Sequence, residues 1–237
     1  MKRTFIISQF IVFFTFLGCQ KSDHSILYVE GNGVKDIEGN FYSTVIIGDQ
    51  EWMAENLKTD FFCNGDSIPS TGDSVQVLVY DSNPQNAAIY GKLYNFNAAN
   101  EISGLCPCGW EVPTELDYAR LIDYLGGYKD AMKKMKSTGN LTDGNGLWVK
   151  RNLQNLYEGN NLSGFNALPG GYAITNDFLT YKYAYQDTFT AFWALPISVN
   201  RPISYHIITP QIGKIKHPGP LVFDQLYYSV RCIKKNK

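Results

Sequence analysis

Cysteine is the residue type in this chain whose spacing most invites chemistry. Five are present, at positions 19, 63, 106, 108 and 232. Cys106-Pro107-Cys108 is the tightest group, and two thiols that close suggest a redox pair or half of a metal site. A disulfide between residues i and i+2 does not easily reach the required Cα separation and torsion, so each thiol must look outward for its partner, to Cys63 or Cys232. With Cys19 set aside, four cysteines allow three connectivities. A bridge from this stretch to Cys232 closes a loop worth up to about 4.7 kcal/mol in the chain-entropy account. Metal binding by the Cys-Pro-Cys group lacks a second close pair or a nearby histidine. The three histidines, His24, His206 and His217, have no carboxylate or cysteine at ligand spacing.

The other chemistries are no better supplied. There is no G-x-S-x-G elbow, no P-loop and no G-x-G-x-x-G after a strand. The 22 carboxylates include none marked out by its setting as half of an acid–base pair. The residues therefore point to no catalytic group, no cofactor and no metal. What remains is aromatic surface: Tyr181, Tyr183, Tyr185 and Trp193 read as exposed, and flat amphipathic rings of this kind suit a glycan or a protein partner. A net charge of -1 offers no clustered basic face for nucleic acid.

The ends of the chain are of another kind. Met1-Lys2-Arg3 and the apolar run Phe5–Leu17 have the anatomy of an export signal, and the run is too short for a spanning helix. Phe16-Leu17-Gly18-Cys19 resembles a bacterial lipobox, in which the cysteine thiol takes a diacylglyceryl group. Gln20-Lys21-Ser22-Asp23 resembles the short polar tag that sends lipoproteins of Bacteroidetes-type bacteria to the cell surface. The expected organisation is a signal peptide at 1–18, a lipidated tether at 19–33 and one domain at 34–237. The expected location is the outer membrane, surface-exposed, with the membrane as partner through the lipid on Cys19.

Within the domain, Val34–Ile47 reads as a hairpin about Glu38-Gly39-Asn40, and Gly48-Asp49 as a second turn. Val75–Tyr80 and Leu226–Ile233 read as strands, and Ala87–Asn100 as a short helix or strand-to-helix element. Thr114 with Asp117 three residues on is close to a capping box, and Gly126-Gly127 supplies a left-handed stop. These signals place a helix at Glu115–Leu125, with Leu116, Ala119, Ile122 and Leu125 on its apolar face beside Tyr118 and Leu121. Lys129–Lys136 adds another turn or two of helix. Alternation at 181, 183 and 185 predicts a half-exposed strand.

Taken together these segments resemble the major paralogous domain family of Fibrobacter succinogenes. The matching residues are Asp36-x-x-Gly39-Asn40-x-Tyr42, Ile47-Gly48-x-Gln50-x-Trp52-Met53-Ala54-Glu55-Asn56-Leu57 and Asn64-Gly65-Asp66-x-Ile68-Pro69. Further matches are Tyr90-Gly91-x-Leu93-Tyr94-Asn95, Cys106-Pro107-x-Gly109-Trp110-x-Val112-Pro113, Gly164-Phe165-x-Ala167-Leu168-Pro169-Gly170-Gly171-Tyr172 and Ser229-Val230-Arg231-Cys232. The family is similar to the sulfatase-modifying-factor fold, a variant of the C-type lectin fold. The resemblance implies an α+β, C-type lectin-like single domain with few helices, short sheets and long loops. It also implies a Cys106–Cys232 bridge, which leaves Cys63 and Cys108 as an added second one. The chain departs from the family at Trp193-Ala194-Leu195-Pro196-Ile197-Ser198. It also lacks the Glu-Pro-Asn or Gln-Pro-Asp and Trp-Asn-Asp triplets of calcium-dependent lectins, and nothing in it matches the sulfatase-modifying catalytic cysteines. The function expected is a lipid-anchored, non-enzymatic surface module that binds glycan or protein. The alternatives are a structural subunit of a surface assembly, or an enzyme using the same groove.

Overall fold

The computed structural model describes residues 25–71, 75–150, 158–177, 179–197, 203–208, 211–216 and 225–235. The signal segment 1–18, Cys19, His24 and His217 lie outside them, and of His206 only the backbone is described.

The described residues open with a ribbon whose turn is built by one carboxylate. β1 (Val29–Glu30), β2 (Val34–Lys35), β3 (Phe41–Tyr42) and β4 (Thr44–Ile47) run so that Val29 faces Ile46 and Val34 faces Tyr42. At the tip, Asp36 Oδ1 accepts from the Glu38 and Asn40 amides at 3.0 and 2.9 Å. Its Oδ2 accepts from Asn40 Nδ2 at 2.8 Å and the Tyr42 hydroxyl at 2.7 Å. Gly39 turns the chain at φ 83°. The motif D-x-x-G-N-x-Y is thus a self-contained turn, in which the aspartate replaces missing backbone partners. Burial, and then the hydrogen bond to Asp36, push the Tyr42 phenol well above its usual range.

β4 turns back at Gly48 (φ 63°) into β5 (Gln50–Met53). After β6 (Val77–Leu78) and a 3-10 turn at Tyr80–Ser82 come α1 (Pro84–Tyr90), β7 (Leu93–Asn95) and α2 (Phe96–Ala99), a helix–strand–helix succession where a strand-to-helix element was expected. β8 (Trp110–Glu111) follows the Cys-Pro-Cys group. α3 (Glu115–Tyr124) starts with both halves of the capping box: Asp117 N–H donates to Thr114 Oγ1 at 3.3 Å, and Thr114 N–H to Asp117 Oδ2 at 2.8 Å. It ends as Gly126 and Gly127 take φ 94° and 87°, with the Gly127 amide donating to the Ile122 carbonyl. Its buried face is Tyr118, Leu121, Ile122 and Leu125, spaced i, i+3, i+4 and i+7. Leu116 and Ala119 are exposed, so the face is rotated from the expected one: Tyr118 and Leu121 are its centre. α4 (Tyr128–Met135) follows.

The remaining strands are β9 (Gly170–Thr175), β10 (Tyr181–Gln186), β11 (Phe189–Ala194), β12 (Ile203–Ile208), β13 (Gln211–Lys216), β14 (Leu226–Tyr228) and β15 (Ile233–Lys234). They form two larger sheets. One has the order β1-β4-β5-β15-β8; the other runs β13-β12-β11-β9-β14-β7-β6, with β10 paired to β9. The result is a mostly-sheet single domain with few helices. The stretch expected as one strand at Leu226–Ile233 is divided between the sheets, β14 in one and β15 in the other. Between them the backbone ties both together: Ser229 N–H donates to the Ala191 carbonyl at 3.1 Å, while the Val230 and Cys232 carbonyls accept from the Leu57 and Met53 amides at 2.9 and 3.0 Å.

That crossing carries a fully buried arginine. The Arg231 guanidinium donates to Asn56 Oδ1, to the Met53 carbonyl at 3.3 Å, and to the Phe165 and Asn166 carbonyls. It also lies 4.5 Å from the Phe165 ring centre and 5.4 Å from that of Phe192. Among the described residues it makes no ion pair, so carbonyl oxygens and ring faces replace its water. Burial pulls its pKa down to about 9, which leaves it charged at neutral pH. Next to it Cys232 is bonded to Cys106 with Cα atoms 5.9 Å apart, and Cys63 is bonded to Cys108 at 5.3 Å. The first bridge is buried; in the second, Cys108 is exposed.

Candidate functional site

The aromatic residues singled out from the sequence part company at a kink in β10, where Tyr185 leaves the extended backbone. Tyr181 faces Thr175, Tyr183 faces Ala173, Ala184 faces Tyr172 and Gln186 faces Gly170 across β9 in one unbroken register, and only the opposed Tyr185 and Gly171 break the regular pairing. Tyr185 takes φ 61° and Gly171 φ 68°. Gly171 is required on space as well: a Cβ there would sit 2.5 Å from the Ala184 carbonyl oxygen and 2.7 Å from the Tyr80 ring. The left-handed backbone at Tyr185 turns its side chain out of the alternation, with no residue inserted and no change of register. Tyr181 and Tyr183 pack on one face, against Tyr227 (ring centres 5.7 Å, edge-on) and Tyr80 (5.1 Å). Tyr185 is sent to the other face, where its exposed ring stacks on Tyr172 at 5.8 Å and 25°. The alternation at 181, 183 and 185 therefore does not describe one surface.

Trp193 corrects the expectation further. It is 0% exposed, its Nε1–H donates to the Tyr94 carbonyl at 2.7 Å, and its ring contacts Tyr228 (4.7 Å) and Phe96 (5.4 Å). It is a core side chain in a strand buried along its whole length. No ligand surface includes it.

Tyr181 and Tyr183 line a groove of about 480 Å³, within the range of small-ligand sites. Ile68, Val77 and Leu78 supply apolar wall, Ser70, Thr71 and Ser82 hydroxyls, and Asp60 and Lys92 a salt bridge of 2.5 Å between carboxylate and ammonium. The Lys92 side chain is 13% exposed and that of Asp60 49%, so the lysine charge is already answered from within the protein. Gln76, just before β6, fixes Tyr181 from behind: its Oε1 accepts from the Tyr181 hydroxyl at 3.2 Å and from that of Tyr227. Burial raises the pKa of Tyr181 and of Tyr183, so both phenols stay protonated donors through neutral pH.

The turn that leads into β10 is held by Asp177. Its Oδ1 accepts from the Leu179 and Thr180 amides at 3.0 and 2.8 Å, and the Thr180 hydroxyl donates to both of its oxygens. These bonds hold the Asp177 carboxyl well below its usual range. The groove is therefore a set of rings and hydroxyls around one internal ion pair, fit for binding a polar ligand with an apolar face. Sequence reasoning found Tyr181 and Tyr183 but not Asp60, Lys92 or Gln76. These come from three separated segments, and no spacing joins them.

Among the described residues, no group of three or more His, Cys, Asp or Glu stands where it could hold a metal ion. No helix among them is long and apolar enough to cross a membrane. Comparison with the curated proteins and with the solved structures returns no match. The Fibrobacter succinogenes major domain matches residues 45–234, from the ribbon strand β4 to the last strand β15. The chain belongs to the Fibrobacter succinogenes major domain family.

Proposed function

We propose that this protein is a lipid-anchored cell-surface module, held by Cys19 in the outer membrane, that binds glycan through the groove of Tyr181 and Tyr183. Its fold in this reading is a C-type lectin-like variant, and it works by binding rather than by catalysis. The observation that carries the proposal is the pairing of two half-buried tyrosine rings with hydroxyls and a self-neutralised Lys92–Asp60 pair in one groove. A pyranose has an apolar face for a ring and hydroxyls for the rim, and a neutral groove does not demand a charged ligand. Glycan-array screening of the protein is the test. Tyr181→Ala and Tyr183→Ala should each weaken a bound glycan by about tenfold or more, the scale of one lost aromatic contact, measured below the melting temperature of each folded variant. Binding that neither substitution affects would sink the groove.

The edge strand supports a second reading, as a structural subunit of a surface assembly. Among the described residues β10 is hydrogen-bonded on one side only, to β9, and the exposed Leu179 and Tyr185 flank its edge. A partner strand could add there. Self-association lost on Tyr185→Lys, with glycan binding absent, would favour this reading over the first.

A further inference from the structure

A second concavity, of about 410 Å³, lies where the first ribbon meets the turn at residues 161–166. Its two sides are stitched together by the Leu27 amide, which donates to the Leu162 carbonyl at 2.8 Å. Two aromatic rings in its lining lie against glycines. A Cβ on Gly164 would meet the Tyr28 ring at 2.9 Å, and one on Gly33 would meet the Phe41 ring at 2.3 Å. Glycine at these positions lets each ring press on bare backbone. The Phe41 ring remains 52% exposed.

The polar part of the lining is set by the buried arginine behind it. Asn161 and Asn166 hold φ 48° and 53°, a backbone region few side chains favour, and the Asn166 amide donates to Asn161 Oδ1 at 2.8 Å. The Phe165 and Asn166 carbonyls are turned toward Arg231. The turn is thereby fixed from the inside, while its asparagine side chains line the cleft. The side-chain amide of Asn166 makes no hydrogen bond among the described residues. Among those same residues Glu30 is the only charged member of the lining, and no lysine or arginine joins it. Anionic ligands find nothing to pair with there. Ring faces, amides with free capacity, the Ser43 hydroxyl and a single carboxylate acceptor together suit the C–H face and hydroxyls of an uncharged sugar.

We propose that this cleft is a second binding site, for a neutral sugar residue, separate from the tyrosine groove. It does not require that groove to bind anything. The test is calorimetric titration of the full-length protein with cellohexaose, xylohexaose and mannohexaose, and with trigalacturonic acid as the anionic control. Two substitutions address the cleft: Phe41→Ala removes an exposed ring, and Asn166→Gly removes the amide while keeping the left-handed backbone. The expected result is binding of at least one neutral hexasaccharide, weakened about tenfold by each of the two on the scale of one ring contact or one hydrogen bond, with the melting temperature of Asn166→Gly unchanged. Loss with Phe41→Ala and Asn166→Gly but not with Tyr181→Ala supports the cleft and overturns the groove. Loss with Tyr181→Ala alone leaves the groove standing and overturns the cleft. Binding of no neutral hexasaccharide, or equal binding of trigalacturonic acid that Phe41→Ala weakens, also overturns it.

Discussion

The crossing at residues 229–233 and the groove beside β10 are both rich in polar and aromatic groups, yet they are built on opposite terms. At the crossing, Ser229, Val230, Arg231, Cys232 and Ile233 are all buried, and the arginine is answered by an amide oxygen, backbone carbonyls and two rings. In the groove the tyrosines are half-buried: Tyr181 is anchored at the rear by Gln76 and Tyr183 is packed on Tyr80, while both still line the groove. The difference separates residues that hold the domain together from residues free to meet something else. A group satisfied on every side has nothing left to offer a ligand. One that is fixed at one end is already ordered, so a ligand loses less entropy in binding it.

The comparison breaks first, and hardest, at the inner bridge. Replacing Cys106 and Cys232 together by serine should cost about 2–5 kcal/mol, the range for a native disulfide that closes a long loop, read as a shift in the denaturant midpoint. An unchanged midpoint would show that the crossing is held without it. Arg231→Met should cost about 2–4 kcal/mol, because the Asn56 and Phe165 oxygens lose a buried donor while the ring faces keep an apolar neighbour. A stabilised variant would mean that the guanidinium's desolvation outweighs its bonds. The outer bridge should matter less. Mild reductant should open Cys63–Cys108 while Cys106–Cys232 stays closed, since attack requires access and Cys108 is exposed whereas Cys106 and Cys232 are 2% and 0% exposed. Mass-labelling of the released thiols checks the order, and equal labelling of all four would erase the distinction between the bridges.

The smallest effect belongs to the turn beside the groove. The folded pKa of Asp177 lies below its ordinary value of 3.8, so the stability it contributes is present above pH 3.8 and is lost as pH falls through the lower, folded value. Its carboxyl resonance should therefore titrate below pH 3.8, and the Leu179 and Thr180 amides should shift with it. Titration at the ordinary value would show that the turn is not held by this carboxylate.

Local rules were the legible part of the sequence. The Asp36 turn, the Thr114–Asp117 cap and the Gly126-Gly127 stop each depend on residues a few positions apart, and each appears where its residues stand. Trp193 was misplaced although a signal existed. Phe189–Ala194 is a run without alternation, which is the pattern of a strand covered on both faces. Tyr185 was misassigned because alternation assumes extended backbone at every position, and Tyr185 takes φ 61°. The clue was Gly171 on the neighbouring strand, and it has no meaning until the two strands are paired. Arg231 gave no clue at all: a charge inside Leu226–Ile233 looks like an outward-facing position, and only partners from residues 53, 56, 165 and 166 make it an inward one.

β15 has one more consequence, and it concerns time. Ile233 lies opposite both Trp52 and Glu111, so the strand in the interior of the first sheet is supplied by residues made long after both of its neighbours. Until those residues leave the ribosome, β5 and β8 have no neighbour between them, Arg231 has not reached its carbonyls, and Cys106 has no thiol to meet. Such long-range pairing is slow to form. The first sheet of the emerging chain therefore stays open until residues 231–234 have been added, and it closes only after they pair.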